Sequence, residues 1–350
     1  MKRFFKKYAS VLYILLASAL VAVIVLHSSD LPAALRAFGT LNARWLWACG
    51  GLIALYLAAR AVTLVYYLGR QGVRIALADA LTVTGIGQFY SAITPSSSGG
   101  QPMQVLAMHR LGIPVSTATA TVSVKFIGFQ CALLVTGLVF WLAHWDMAAE
   151  QLAGMRYLVA LGYLVNSALM VGVALTMVRS RWVNRVVSWC VRQLARLHIV
   201  KDQEATGHRA LVLLEEYRQA LSRLIAHPGQ ALVVLALSCL QVFSLMLVPL
   251  CLYRAFGLSG WAPADLFTLQ LLLFIAAAFV PLPGAAGAQE GGFYLFFRGV
   301  FPEGEILAAM LCWRFFTYYL LMAAGLAAVV VHGLRGWLRR RRAERDGEGR

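Results

Sequence analysis

Pro95-Ser96-Ser97-Ser98-Gly99-Gly100-Gln101 and Pro283-Gly284-Ala285-Ala286-Gly287-Ala288-Gln289 are one motif, P-x3-G-[GA]-Q, written twice at an offset of 188 positions. Each copy interrupts an apolar stretch, and each is followed by a further proline, Pro114 or Pro302, at the same offset. Beyond each proline a single cation stands in an apolar helical pattern: Lys125 in the first half, Arg314 in the second. Paired breaks at corresponding positions of two halves are a sequence mark of a transport site built between structural repeats.

The rest of the chain sets these breaks in a membrane. Of its 350 residues, 60% are hydrophobic and only 13% charged. Six runs reach the roughly 18 to 20 apolar residues that cross a bilayer: 9–26, 45–68, 115–142, 157–178, 230–252 and 306–331. Two weaker stretches, 76–114 and 265–300, hold the motif copies in their middles. The first run follows a basic start, as a signal peptide would, but it is long, lacks a small-x-small cleavage pattern and precedes further spans, so it reads as an uncleaved first span. The six cysteines (Cys49, Cys131, Cys190, Cys239, Cys251, Cys312) show no ligand spacing and read as small buried hydrophobes. Neither a metal site nor a cofactor is indicated.

Charge orients the spans. The net +16 sits at membrane edges and not in a folded soluble segment, which speaks against nucleic acid as a partner. Four cations flank the start, two lie in the 70–74 loop, nine between Arg179 and Arg223, and seven from Arg335 onward. Cytoplasmic loops carry such excess. Eight full spans starting inside would put the nine-cation loop outside. The conflict disappears if 76–114 and 265–300 are re-entrant hairpins that return to the side they came from. Asp30, Asp146, Glu150, Asp265, Glu303 and Glu305 then gather outside. The expected fold is therefore an all-α polytopic membrane protein. It has six full transmembrane helices plus two re-entrant helical hairpins, with halves 45–142 and 230–331 forming an inverted repeat. Segment 179–228 is the cytoplasmic basic amphipathic linker, and 335–350 a basic cytoplasmic tail. Both termini lie inside a bacterial-type inner membrane.

At each break, freed backbone N–H groups need partners that lipid does not supply. The helix that starts after the break turns its positive end inward, a geometry that suits an anion. Gly99, Gly100 and Gly287 allow close approach, while Gln101 and Gln289 add neutral hydrogen bonding. Lys125 and Arg314 each cost roughly 2.5 to 3.5 kcal/mol inside a span, so they face a partner or a wet cavity unless they snorkel to an interface. Arg60, inside 45–68, is a third candidate for a lipid phosphate. Glu290 has three readings: a counter-ion to one of these cations, a proton-coupling carboxylate, or a receiver for a cationic headgroup. The segment 179–196 places Arg181, Arg185, Arg192 and Arg196 on one face of an amphipathic helix, as a membrane-surface anchor does. No P-loop, nucleophile elbow or H-E-x-x-H motif is present, and no catalytic residues are assigned.

Thr94-Pro95-x3-Gly99-Gly100-Gln101-Pro102 resembles the first signature of the transmembrane region of lysylphosphatidylglycerol synthases and their flippase-like relatives. Pro281-Leu282-Pro283-Gly284-x2-Gly287-x2-Glu290-Gly291, with Arg314 in the next helix, resembles the second. The resemblance implies a membrane region that moves aminoacylated or other anionic lipids, or lipid-linked intermediates, between leaflets. Full-length synthases add a soluble domain that transfers lysine to phosphatidylglycerol, and the chain reaches Arg350 without one. The expectation is a lipid translocase with an anionic lipid as partner and a separate transferase as a possible second. The alternatives are a phosphatidylglycerol lysyltransferase-type enzyme and an accessory subunit of a lipid-modifying pathway.

Overall fold

The structure, a computed structural model, describes residues 36, 38–196, 203–278, 280 and 282–348. Its elements are helical, and among the described residues the one strand-type pairing is a bridge between Arg298 and Phe301. In chain order, the helices of the first half are α1 (Ala43–Arg70), α2 (Leu77–Ile93), α3 (Gly100–Arg110), α4 (Val115–Ala143) and α5 (Trp145–Gln151). Then come α6 (Arg156–Arg196), α7 (Gln203–Ala226), α8 (Pro228–Met246), α9 (Val248–Ala255) and α10 (Pro263–Ala277). The chain closes with α11 (Ala288–Phe296), α12 (Ile306–Arg314) and α13 (Leu321–Glu348). A 3-10 turn joins α2 to α3 (Pro95–Ser97) and another precedes α11 (Pro283–Ala285), while a π-helical segment (Phe315–Leu320) links α12 to α13.

Among the described residues, four helical stretches are long and apolar enough to cross a membrane: Ala43–Arg70, Val115–Ala143, Pro228–Ala255 and Ile306–Leu334. They coincide with four of the six expected spans. A fifth qualifies only if α5 and the start of α6, which meet at a bend of 119°, count as one span. The expected span 9–26 lies outside the described residues. The segment 179–196 is no separate element: α6 runs unbroken through it as a 41-residue helix. The large apolar side chains facing outward on the long helices, such as Val62, Val135, Leu232 and Val330, give the bundle the surface that lipid requires.

Local chemistry sets the helix ends. Asn42 caps α1 by accepting from the Arg44 amide at 3.0 Å. Pro228 and Pro263 open α8 and α10 at the position where a missing N–H costs nothing. Small residues then allow close helix contact. Gly325 on α13 lies so near α2 that a Cβ there would stand 2.7 Å from the Gly85 carbonyl and 2.8 Å from the Phe89 amide. One core cluster unites α8 to α12 around fully buried Leu266, Leu269, Phe293 and Phe297; a second joins α1 to α4 around Leu64, Leu68 and Met108. The two broken helix pairs belong to different clusters, α2–turn–α3 to the second and α10–turn–α11 to the first, and their turns pack against each other.

Candidate functional site

The doubled motif is doubled in backbone conformation too. Thr94 (φ −116°, ψ 145°) matches Leu282 (φ −106°, ψ 149°), its counterpart 188 positions on. Ser96 and Gly284 both take positive φ, 50° and 60°, and so do Ser97 and Ala285, 54° and 47°. Left-handed backbone at three non-glycine residues is strain of the kind that clusters at functional sites. One position further the copies part: Ser98 stays near the helical region, whereas Ala286 is extended. The shared glycine then serves two purposes. Gly287 has φ 84°, which only glycine takes easily, with open space where a Cβ would be. Gly99 is helical, but a Cβ on it would lie 2.7 Å from the Thr94 methyl.

Both turns open onto one cavity of about 860 Å³. Ser96 and Ser97 line it from the first turn, Gly284 and Ala285 from the second. Gln101 and Gln289, which close the two motif copies, line it as well, as do Tyr56 and Arg60 of α1 and Trp313 and Arg314 of α12. The volume lies within the range of roughly 300–1,000 Å³ seen for small-molecule sites.

Its charges are arranged unequally. Arg314 donates from Nε to Glu290 Oε1 at 2.6 Å and from Nη2 to the Gly284 carbonyl at 3.0 Å. Glu290 Oε2 accepts from the Gly287 amide at 2.7 Å. The guanidinium also stacks 4.8 Å from the Tyr318 ring, whose hydroxyl donates to the Ala92 carbonyl at 3.1 Å beside the first turn. Arg314 is thus neutralised, and it fastens the second turn. The other two cations are not. Lys125, buried behind the wall, donates to Gln104 Oε1 at 3.2 Å. Arg60 donates from Nη1 to the Tyr56 hydroxyl at 2.6 Å, and its Nε has no hydrogen-bond partner. Neither makes an ion pair among the described residues, and each lies within electrostatic reach of the other. Among the described residues, the carboxylate on the cavity wall is Glu216 of α7, whose pKa burial raises.

A family profile described as Lysylphosphatidylglycerol synthase TM region matches residues 11–325, nearly the whole chain and both turns with it. The chain belongs to this family. It is also 22% identical over 249 residues to a UPF0104 membrane protein of Archaeoglobus fulgidus, covering 71% of this chain and 74% of that protein.

In this member of the lysylphosphatidylglycerol synthase TM region family, Arg60, Gln101, Gln289 and Arg314 meet at the cavity wall, with Lys125 one side chain behind it. Gly99, Gly100 and Gly287 do not line the cavity. Gly100 makes room for Ser91, whose hydroxyl would lie 1.9 Å from an added Cβ. Glu290 sits behind Arg314 and pairs with it. The cavity wall also holds residues that the charge pattern of the sequence does not point to: the carboxamides Gln88, Gln104, Gln130 and Gln270, the aromatic Trp313 and Tyr318, and Glu216. The glutamines had a signal: each interrupts an apolar helical stretch, as the cations do.

Proposed function

We propose that the protein is a lipid translocase that holds the phosphate of an anionic membrane lipid in the cavity between the two turns and exchanges it between leaflets. One observation carries this reading: the cavity concentrates the unpaired charge of Arg60 and Lys125 in a buried place. A buried donor without an acceptor, such as Arg60 Nε, costs roughly 1–3 kcal/mol. A phosphate supplies that acceptor together with the missing negative charge.

In this reading the chain has six full spans, and its two hairpins enter from opposite faces as an inverted repeat. Its termini and segment 179–228 are cytoplasmic, in a bacterial-type inner membrane. The phosphate rests between Arg60 and Lys125, near Gln101 and the start of α3, whose first amides have no side-chain cap. Acyl chains stay in the bilayer. The Arg314–Glu290 pair keeps the second turn closed against the first, and parting the turns moves the headgroup from one side to the other. Lipid contact with the transferase of another protein, where one exists, belongs to the same surface.

The test is leaflet exchange of a fluorescent phosphatidylglycerol in proteoliposomes, read by chemical quenching of the outer leaflet. Arg60→Ala and Lys125→Ala are expected to slow exchange at least about tenfold, the worth of one charge-assisted hydrogen bond. Exchange at the wild-type rate in both would sink the assignment.

A further inference from the structure

The cavity holds more hydrogen-bonding capacity than a phosphate can use. Six glutamines reach its wall from five helices: Gln88, Gln101, Gln104, Gln130, Gln270 and Gln289. Gln104 is engaged by Lys125, and Gln130 donates to Asn166 at 2.9 Å. Two others hold an oxygen with no partner. Gln270, 1% exposed, and Gln289, 8% exposed, each bury an Oε1 that accepts nothing. Trp313, 2% exposed, buries an indole N–H that donates to nothing. Orphaned acceptors and an orphaned donor on one wall call for a ligand that offers both roles.

An ionised phosphate accepts and does not donate, so it leaves Gln270 and Gln289 unanswered. An ammonium group donates, but it would enter beside Arg60 and Lys125 with Glu216 as the acid on the wall. A hydroxyl donates and accepts, is neutral, and answers carboxamide and indole alike. Several hydroxyls on a ring also leave apolar C–H faces, for which Trp313 and Tyr318 provide flat aromatic surface.

Resting on the phosphate reading above, we infer that the lipid's headgroup is a polyhydroxylated ring, so that the cavity binds a glycosyl phosphate carried on a lipid. The phosphate sits toward Arg60 and Lys125, and the sugar toward Gln270, Gln289 and Trp313.

The experiment uses the purified full-length chain in nanodiscs. Binding is titrated for four lipids: a hexosyl-phosphate polyprenol, the same polyprenyl phosphate without sugar, phosphatidylglycerol and lysylphosphatidylglycerol. The glycosyl lipid is expected to bind at least about tenfold more tightly than the bare phosphate, as two satisfied hydrogen bonds allow. Gln270→Leu with Gln289→Leu should abolish that preference and leave binding of the bare phosphate intact. Single Gln270→Met and Gln289→Met variants, close in shape, give the same readout if the double variant binds neither lipid. Equal binding of glycosyl and bare phosphates, tighter binding of either glycerolipid, or a preference that survives the substitutions would overturn the proposal. Failure of all four lipids to bind the wild-type chain would instead overturn the phosphate reading beneath it.

Discussion

Arg314 and Glu290, 24 positions apart in sequence, form a buried ion pair at 2.6 Å that fixes the tip of the second turn from two sides. The guanidinium holds the Gly284 carbonyl and the carboxylate holds the Gly287 amide, so both glycines of that turn are tied to one pair. The pair neutralises Arg314 and leaves the positive character of the cavity to Arg60 and Lys125.

Removing half of such a pair strands a buried charge, which costs roughly 3–5 kcal/mol. Arg314→Ala should therefore unfold at markedly lower temperature in detergent, and Glu290→Ala likewise. The double variant should lose less than the sum, with a coupling energy of up to about 3 kcal/mol. Additive losses would mean that the pair is not formed.

Lys125 behaves oppositely. It carries a buried charge with a single glutamine partner, so Lys125→Met relieves a desolvation cost and should leave thermal stability unchanged or raised. Phosphatidylglycerol binding should nevertheless fall about tenfold or more, the loss of one charged contact. A variant that loses both stability and binding would make Lys125 a structural residue.

The two motif glycines should fail for different reasons. Gly287→Ala forces an alanine to φ 84°, at a cost of roughly 1–2 kcal/mol that no neighbouring substitution relieves. Gly99→Ala meets the Thr94 methyl at 2.7 Å and the Thr94 hydroxyl at 2.9 Å, so Thr94→Ser, which removes the first contact and keeps the second, should recover part of its stability. Thermal unfolding of Gly287→Ala, Gly99→Ala, Thr94→Ser and the Gly99→Ala, Thr94→Ser double variant separates the two cases.

These contrasts mark how far the sequence could be read. The P-x3-G-[GA]-Q repeat announced two equivalent turns, and the paired φ values at Ser96/Gly284 and Ser97/Ala285 carry that equivalence into the backbone. Four long spans followed from apolar length alone. The separate uses of Gly99 and Gly287 were not legible, because a glycine kept for space and one kept for φ are the same letter. The π segment Phe315–Leu320, which sets Tyr318 beside Arg314, leaves no compositional trace. Charges drew notice to Arg60, Lys125, Glu290 and Arg314, while the glutamines became a group only once five helices brought them to one wall.

Glu216 gives the site a pH response. Burial raises its pKa, so it takes up a proton at a higher pH than a solvated glutamate does. Its protonation removes a negative charge from the wall of the cavity that Arg60 also lines, and affinity for phosphatidylglycerol should rise by about two- to tenfold on acidification. The lipid's phosphodiester keeps its charge over that interval. Glu216→Gln should hold the higher affinity at every pH, and a wild-type affinity that falls on acidification would have the wrong sign.

The most direct measurement is native mass spectrometry of the gently purified protein beside its Arg60→Ala, Lys125→Ala double variant. The wild-type chain should retain one phosphate-bearing lipid that survives collisional activation, and the double variant should lose that lipid while keeping its folded charge-state distribution. A folded double variant that retains the same lipid to the same degree would contradict a phosphate site between the two turns.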